Sequence, residues 1–401
     1  MGLTSKEYES IIEQLRHNCN ILMKNNQEEP WYDRFKVWFK DLNLQNEIKY
    51  DPRIRQWFRY TNGYYMTISV GTVNTLLFEW GEFTNEHLSP SKTSFLRQWV
   101  EAECEFSDQW DPDPNIDNCL NGLVNKEERT LLPHTYEYPS KQQIQRNYDP
   151  DLDPIIPPLF HEMLQIIKND QERAWFIQFL VNIVHHYFDE ELFCIMYGPR
   201  NSGKSTLLRI FELVFGSQVV SKTQINKIGA RFGFSECYDK LVNVNPDLPI
   251  VPLNDMTISN IKQMTGHDGM IEVELKGRDM FSYPIKCFLV FGINQLPGFK
   301  SSSEKEIESI FRRVFLINTP EKLETNPEFK KSTENPVFLD QLYSFLVWER
   351  PKAIIEDVDN WIDIQKEKWL DNSNPVLSIL KEHYYYCDGR EITCRDVFEY
   401  V

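Results

Sequence analysis

Gly198-Pro199-Arg200-Asn201-Ser202-Gly203-Lys204-Ser205-Thr206 has the spacing G-x-x-x-x-G-K-[ST], a loop that wraps the phosphates of a nucleotide. Gly198 and Gly203 let the backbone turn tightly and aim N–H groups at phosphate oxygens. Lys204 brings a point charge, and the Ser205 hydroxyl can ligate Mg²⁺. Hydrolysis needs an acid as well, to orient a metal-bound water or take its proton. Asp247, closing the run Lys240–Pro246, is the candidate, although a turn beside prolines also produces an aspartate. Asn294 follows a second apolar run, Cys287–Ile293, and its amide could hold the attacking water or the γ-phosphate. Arg312 and Arg313 open a third, Phe311–Ile317. A guanidinium's planar fork suits a γ-phosphate losing its bond, often on a neighbouring subunit, and equally suits a structural ion pair.

These residues need a scaffold. Leu192–Tyr197 is apolar throughout, as a buried strand entering the loop would be, and Thr206–Phe215 reads as the helix leaving it. The runs around 240–247, 287–293 and 311–317 supply further strands. Between them, Gly269–Phe281 alternates in character, with Gly277 at a turn that carries Lys276 and Arg278. Such a tip could grip a phosphate backbone without reading sequence, or simply face water.

Upstream, the period is helical. Thr4-Ser5-Lys6-Glu7 has capping-box spacing, and Tyr8, Ile11, Ile12, Leu15, Cys19 and Leu22 follow on one face. Trp31, Phe35, Trp38 and Leu42 form a second stripe, the pattern that core packing produces. Gln56–Tyr60 and Tyr64–Ile68 flank Asn62-Gly63, a hairpin whose aromatics suit a packed small sheet better than a base-stacking surface. Asp108, Asp111, Asp113 and Asp117 resemble a calcium loop, but Ile116 stands where glycine is required, so a solvated acidic turn is expected. Pro150, Pro154, Pro157 and Pro158 mark a domain boundary near 155, after which one helix is expected over His161–Tyr187.

The chain of 401 residues, 41% apolar and 13% aromatic, can bury cores for two or three domains. Its 8 cysteines contain no C-x-x-C pair, which suits the reduced interior of a cell. Apolar stretches such as Phe176–Val184 are too short to cross a bilayer and the polar N-terminus has no signal-peptide core, so a cytoplasmic protein without membrane contact is expected. A net charge of −17 excludes a generic nucleic-acid-coating protein. Any DNA contact must be local, as in a ring that turns basic loops to its bore and acidic surfaces outward.

With three nucleotide-site candidates packed into residues 198–294, the chain resembles the superfamily 3 helicases, and more closely the helicase part of the primase-helicases of plasmids, phages and large DNA viruses. Ile261–Asp268 is similar to their lysine and Gly-x-Asp motif, and Phe291–Pro297 to their sensor strand. Asp51-Pro52-Arg53 to Trp57, Asn121-Gly122-Leu123-Val124 and Tyr148-Asp149-Pro150-Asp151 resemble phrases of the domain that precedes the helicase in that family. Asn374–Val401 resembles the opening of a winged helix.

The resemblance implies an α/β fold: an α-rich collar with a small hairpin (1–155), an AAA+-like ATPase with a parallel sheet (156–320), and a helical tail (321–401) stopping inside the winged helix, hence a piece of a longer protein. It also implies a hexameric ring that hydrolyses ATP with Mg²⁺, translocates on single-stranded DNA, opens forked DNA, and works with a primase domain or partner. Residues 198–206 would bind the nucleotide, with Lys204 on phosphate, Ser205 and Asp247 on the metal, Asn294 as sensor and Arg313 as the finger in trans. Lys276 and Arg278 would lie on the hairpin in the bore. Family members often carry paired acids or a glutamate where Asn245 and Asp247 stand here. A non-unwinding loader, an inactive DNA-binding ring and a P-loop kinase of small molecules are the alternatives.

Overall fold

The structure is a computed structural model that describes residues 30–227, 234–246, 252–266, 269–274, 280–284, 286–300, 303–324 and 326–373. The expected helix over residues 4–22 and the winged-helix opening at 374–401 lie outside the described residues. The chain divides into two compact units, one running to Asp113 and including Pro133–Gln143, the other holding Pro114–Leu132 and everything from Ile144. Residues 114–132 and 144–155 thus group with the unit that carries the loop, not with the collar to which the proline-rich break at 155 assigned them.

The first unit contains α1 (Trp31–Asp41), α2 (Leu44–Glu47), β1 (Ile48–Asp51), β2 (Gln56–Thr61), β3 (Tyr64–Ile68), α3 (Val70–Thr84) and α4 (Pro90–Glu103). The aromatic stripe of α1 buries Phe35, Trp38 and Phe39 against Trp57, Leu77, Trp80 and Val100. The β2–β3 hairpin forms in the expected register, Thr61 opposite Tyr64. Asn62 (φ 53°) and Gly63 (φ 90°) supply the two positive-φ positions that such a turn demands. Asp51 accepts two bonds from the Arg53 guanidinium, at 2.9 and 2.8 Å, and one from the Trp110 indole at 2.8 Å. Burial alone would push its carboxyl up, but these donors hold it below the usual range.

The second unit opens with an antiparallel sheet of β4 (Ile116–Cys119), β5 (Gly122–Asn125) and β6 (Thr130–Leu132). There Asn121 brackets the backbone of Tyr148, donating to its carbonyl at 2.9 Å and accepting from its N–H at 3.0 Å. Asp117 is no solvated turn residue. It is buried, with Lys126 Nζ at 2.7 Å on one oxygen and the Tyr343 hydroxyl at 2.8 Å on the other.

Next come α5 (Pro158–Leu164) and α6 (Asp170–Val184), where the sequence suggested one helix. The break follows from Asn169, whose side chain accepts the N–H of Glu172 and starts a new helix with Asp170 and Glu172 in its first turn. The chain continues through β7 (Phe193–Tyr197), α7 (Lys204–Phe215), β8 (Val220–Ser221), β9 (Val242–Asn245), β10 (Leu253–Asn254), α8 (Asp255–Thr265), β11 (Ile271–Val273), β12 (Phe281–Tyr283), β13 (Phe288–Ile293), β14 (Phe299–Lys300), α9 (Glu304–Arg313), β15 (Val314–Asn318), α10 (Pro327–Ser332), α11 (Pro336–Trp348) and α12 (Val358–Ser373). Arg312 and Arg313 therefore close a helix rather than opening a strand.

The main sheet has five parallel strands in the order β15-β7-β13-β9-β8. Its residues alternate between two cores. Cys194, Met196, Val290 and Phe315 face α5, α6, α7 and α11, while Phe193, Ile195, Leu289 and Leu316 face α8 and α9. A sheet covered by helices on both faces explains why its strands read as unbroken apolar runs. No helix among the described residues is long and apolar enough to cross a membrane.

Candidate functional site

The loop 198–203 joins the carboxyl end of β7 to the first residue of α7. In parallel α/β sheets this end is where ligands bind, at the crevice between neighbouring strands whose onward connections depart in opposite directions. Here those strands are β7, which leads on to β8 at one edge of the sheet, and β13, which leads on to β15 at the other.

Two glycines set the loop's path. Gly198 has φ +148°, and a Cβ there would lie 2.2 Å from the Thr319 carbonyl oxygen. Gly203, at φ +86°, sits against Ile166 and Leu323, where a Cβ would meet side-chain carbons at 2.9 and 3.0 Å. Both positions need a residue without a side chain, so the backbone curls tightly around space that a Cβ would fill. Asn201 adds a third positive φ, 61°. Arg200, Asn201 and Ser205 are exposed, and Pro199 and Thr206 are half-buried.

Lys204 is only 7% exposed. Its ammonium donates to the carbonyls of Gly198 and Pro199, both at 2.7 Å, and to Ser202 Oγ at 3.1 Å. Burial lowers its pKa by penalising the charged form. The ammonium lies inside the curl, next to the backbone that would face a phosphate.

The chain after β15 straps this loop. Thr319 N–H donates to the Tyr197 carbonyl at 2.9 Å, and Leu323 N–H to that of Asn201 at 2.7 Å. The Thr319 and Ser202 hydroxyls lie 2.7 Å apart. Thr319 carries no signal legible in the sequence, because an isolated threonine has no periodicity and its partner lies 117 residues away.

Asn294 leaves β13 just after Ile293, which pairs with Tyr197, so Asn294 and Gly198 emerge from adjacent strands at one level. Asn294 is exposed there. β9 lies on the far side of β13, with Asn245 opposite Phe291, and Asn245 ties the sheet by donating its amide to the Lys222 carbonyl at 2.9 Å. Asp247 lies outside the described residues, as do Lys276 and Arg278, although the β11–β12 pairing that would carry those two is present. Ser205 stands on the first turn of α7. Gly198, Lys204, Ser205 and Asn294 are thus gathered at one end of the sheet.

The arginines are at the other end. β15 runs parallel to β7, from Val314 opposite Phe193 to Asn318 opposite Tyr197. Arg313 is held within its own chain, its guanidinium on the Glu191 carboxylate and on the Ser309 carbonyl at 3.2 Å. Arg312, beside it, is exposed, with no hydrogen bond or ion pair to another described residue.

Comparison with known proteins adds a fold. Residues 196–313 match the model of a family of unknown function, DUF5906. No curated protein matches the chain. Among solved structures, the apo C-terminal region of NrS-1 (305–718) is similar with a TM-score of 0.54 and 13% identity, over 89% of this chain and 78% of that one. Its A form superposes with TM-scores of 0.50 and 0.52 at 12% and 14% identity, covering 87% and 86% of this chain and 82% and 76% of theirs. At such identity the likeness concerns the fold alone.

Proposed function

We propose that this chain is a ring-forming ATPase of the AAA+ type, most simply a hexamer, that translocates on single-stranded DNA and opens forked DNA in plasmid or viral replication, in the cytoplasm and alongside a primase. The observation that carries the reading is the loop 198–203, curled by Gly198 and Gly203 between a parallel strand and a helix, with Lys204 folded into it. Its backbone N–H groups and helix start suit polyphosphate. The strand order supports the rest: β13 with Asn294 lies next to the loop strand, and β9, whose continuation carries Asp247, comes next. A water-positioning amide and an acid would then stand beside the γ-phosphate.

Mg²⁺, held by Ser205 Oγ and Asp247, would neutralise charge between the β- and γ-phosphates. The Arg312–Arg313 corner supports action between copies, since it points away from the loop of its own chain. Lys276 and Arg278 are the cations proposed to grip the DNA backbone, which reconciles DNA binding with the net charge of −17.

Turnover of ATP by the purified chain, measured with and without single-stranded DNA and beside a strand-displacement assay on a fork, tests this. Turnover stimulated by DNA and abolished in Lys204→Ala is expected. Turnover without unwinding at any salt concentration would point to a loader. Dependence on a small acceptor instead of DNA would make the chain a kinase.

A further inference from the structure

We infer that Thr319 is a positioning residue: through Ser202 it parks the Lys204 ammonium inside the loop, so that a nucleotide phosphate must compete for it. The inference rests on the nucleotide-binding reading of the loop and adds a residue that no motif contains.

Counting protons gives the argument. A lysine ammonium has three protons and no acceptor, whereas each hydroxyl has one proton and accepts through its lone pairs. All three protons of Lys204 are spent, on Gly198 O (2.7 Å), Pro199 O (2.7 Å) and Ser202 Oγ (3.1 Å). Ser202 Oγ therefore accepts from the lysine and must place its own proton elsewhere. Thr319 Oγ1 is 2.7 Å away, and the Thr319 hydroxyl in turn reaches the Tyr197 carbonyl at 3.1 Å. One direction satisfies every group: Lys204 to Ser202, Ser202 to Thr319, Thr319 to the Tyr197 carbonyl. In the opposite sense the Ser202 proton would have no acceptor among the described residues. Ser202 is 2% exposed and Thr319 0%, so water does not substitute for either partner.

A parked lysine carries an energetic consequence. Binding phosphate requires it to give up at least one loop acceptor, and the apparent affinity is reduced by the fraction of molecules in which it has not done so. Thr319→Val keeps the branched shape and removes the terminus of the relay. The Ser202 hydroxyl then has no acceptor for its own proton among the described residues and is no longer held with a lone pair toward the ammonium, so the two loop carbonyls alone keep the lysine parked. A hydrogen bond to a charged group is among the stronger kinds, so freeing the lysine should tighten nucleotide binding about tenfold.

The sign separates this role from a scaffolding one, because a threonine that merely stiffened the loop would weaken binding when removed. A fluorescent ADP analogue titrated into the full chain, and displaced with unlabelled ATP, reads the affinity, with thermal melting to confirm folding. Thr319→Val should bind about tenfold more tightly, and Thr319→Ser, which keeps the hydroxyl, should match the unaltered chain. Ser202→Ala removes the lysine's third acceptor directly, should shift affinity the same way, and decides the matter if Thr319→Val does not fold. Equal or weaker binding by the folded variants overturns the parking role while leaving the nucleotide site intact. An unaltered chain that binds neither ADP nor ATP overturns the site and the parking role together.

Discussion

Arg312→Ala should cut ATP turnover by about three decades, the lower end of what an arginine finger supplies, while leaving nucleotide affinity and melting temperature unchanged. β15 spans 5 residues, about 16 Å at the rise of a parallel strand, and separates the arginine corner from the loop at the carboxyl end. That gap exceeds the reach of an arginine side chain, so neither guanidinium can serve the loop of its own chain. Of the two, Arg313 is already committed to Glu191 and the Ser309 carbonyl, whereas Arg312 is exposed and can extend to an adjoining copy without breaking a contact. Arg313→Ala should therefore act through the fold. Losing a partly buried ion pair, with side chains 13% and 27% exposed, costs about 1 kcal/mol, a few degrees of Tm in a domain of this size. Steady-state turnover and melting curves on both variants separate the two roles. Mixing Arg312→Ala with Lys204→Ala should restore part of the activity, because some interfaces then join an intact arginine to an intact loop. The reasoning fails if Arg312→Ala turns over normally, or if Arg313→Ala loses turnover at an unchanged Tm.

Gly198→Ala should weaken nucleotide binding and lower Tm together, since its Cβ would lie 2.2 Å from the Thr319 carbonyl oxygen; an unaffected variant in a nucleotide titration contradicts the tight curl. Tyr343→Phe should destabilise the second unit by about 1–3 kcal/mol in urea unfolding, because it strips a donor from the buried Asp117 carboxylate. Acidification should destabilise the fold between about pH 6.5 and 4: burial, reinforced by Lys126, pushes His185 down to about 4, so over that interval the unfolded chain binds a proton the folded chain refuses. His185→Gln should flatten that slope in Tm measured against pH, and an unchanged slope would assign it to other groups. Asn294→Ala should leave nucleotide affinity near its starting value and depress turnover, the pattern of a group that positions water; a parallel loss of affinity would make it a binding residue instead.

Local signals carried well and distant ones did not. The strand into the loop, the helix out of it, the Asn62-Gly63 hairpin and the stripe of α1 were legible because each is written within a few residues as period, turn chemistry or spacing. The break in the expected helix at 161–187 was also written locally, in Asn169 followed by Glu172, but the apolar period continuing on both sides masked it. The run Phe311–Ile317 read as strand throughout because apolar residues alone do not tell a helix end from a strand start. What settles it is the charge pattern upstream: Glu304 and Glu306 open α9 and Arg312 and Arg313 close it, matching the helix dipole. Asp117 looked like a surface acid because its partners, Lys126, Tyr343 and His186, are collected from three separate segments. Thr319 and Glu191 were invisible for the same reason: their roles exist only once β15 lies against β7.

The same topology links the loop to the end of the described chain. α12 runs across the open edge of the sheet at β15, with Trp361 in one core and Trp369 in the other. Between them Gln365 offers its carbonyl to the Leu316 N–H at 3.1 Å, occupying a ladder position that an edge strand would otherwise leave bare. One turn on, Lys368 holds Glu172 at 2.8 Å, and the other oxygen of Glu172 accepts the N–H of Asn318 at 2.7 Å. Asn318 is followed by Thr319, where the strap meets Gly198 and Ser202. Two hydrogen bonds, Lys368 to Glu172 and Asn318 to Glu172, therefore tie α12 to the residue that precedes the loop contact. Lys368, Glu172 and Asn318 are thus joined by consecutive hydrogen bonds, with Thr319 next along the chain, so α12 and the strap over the loop share one set of discrete contacts.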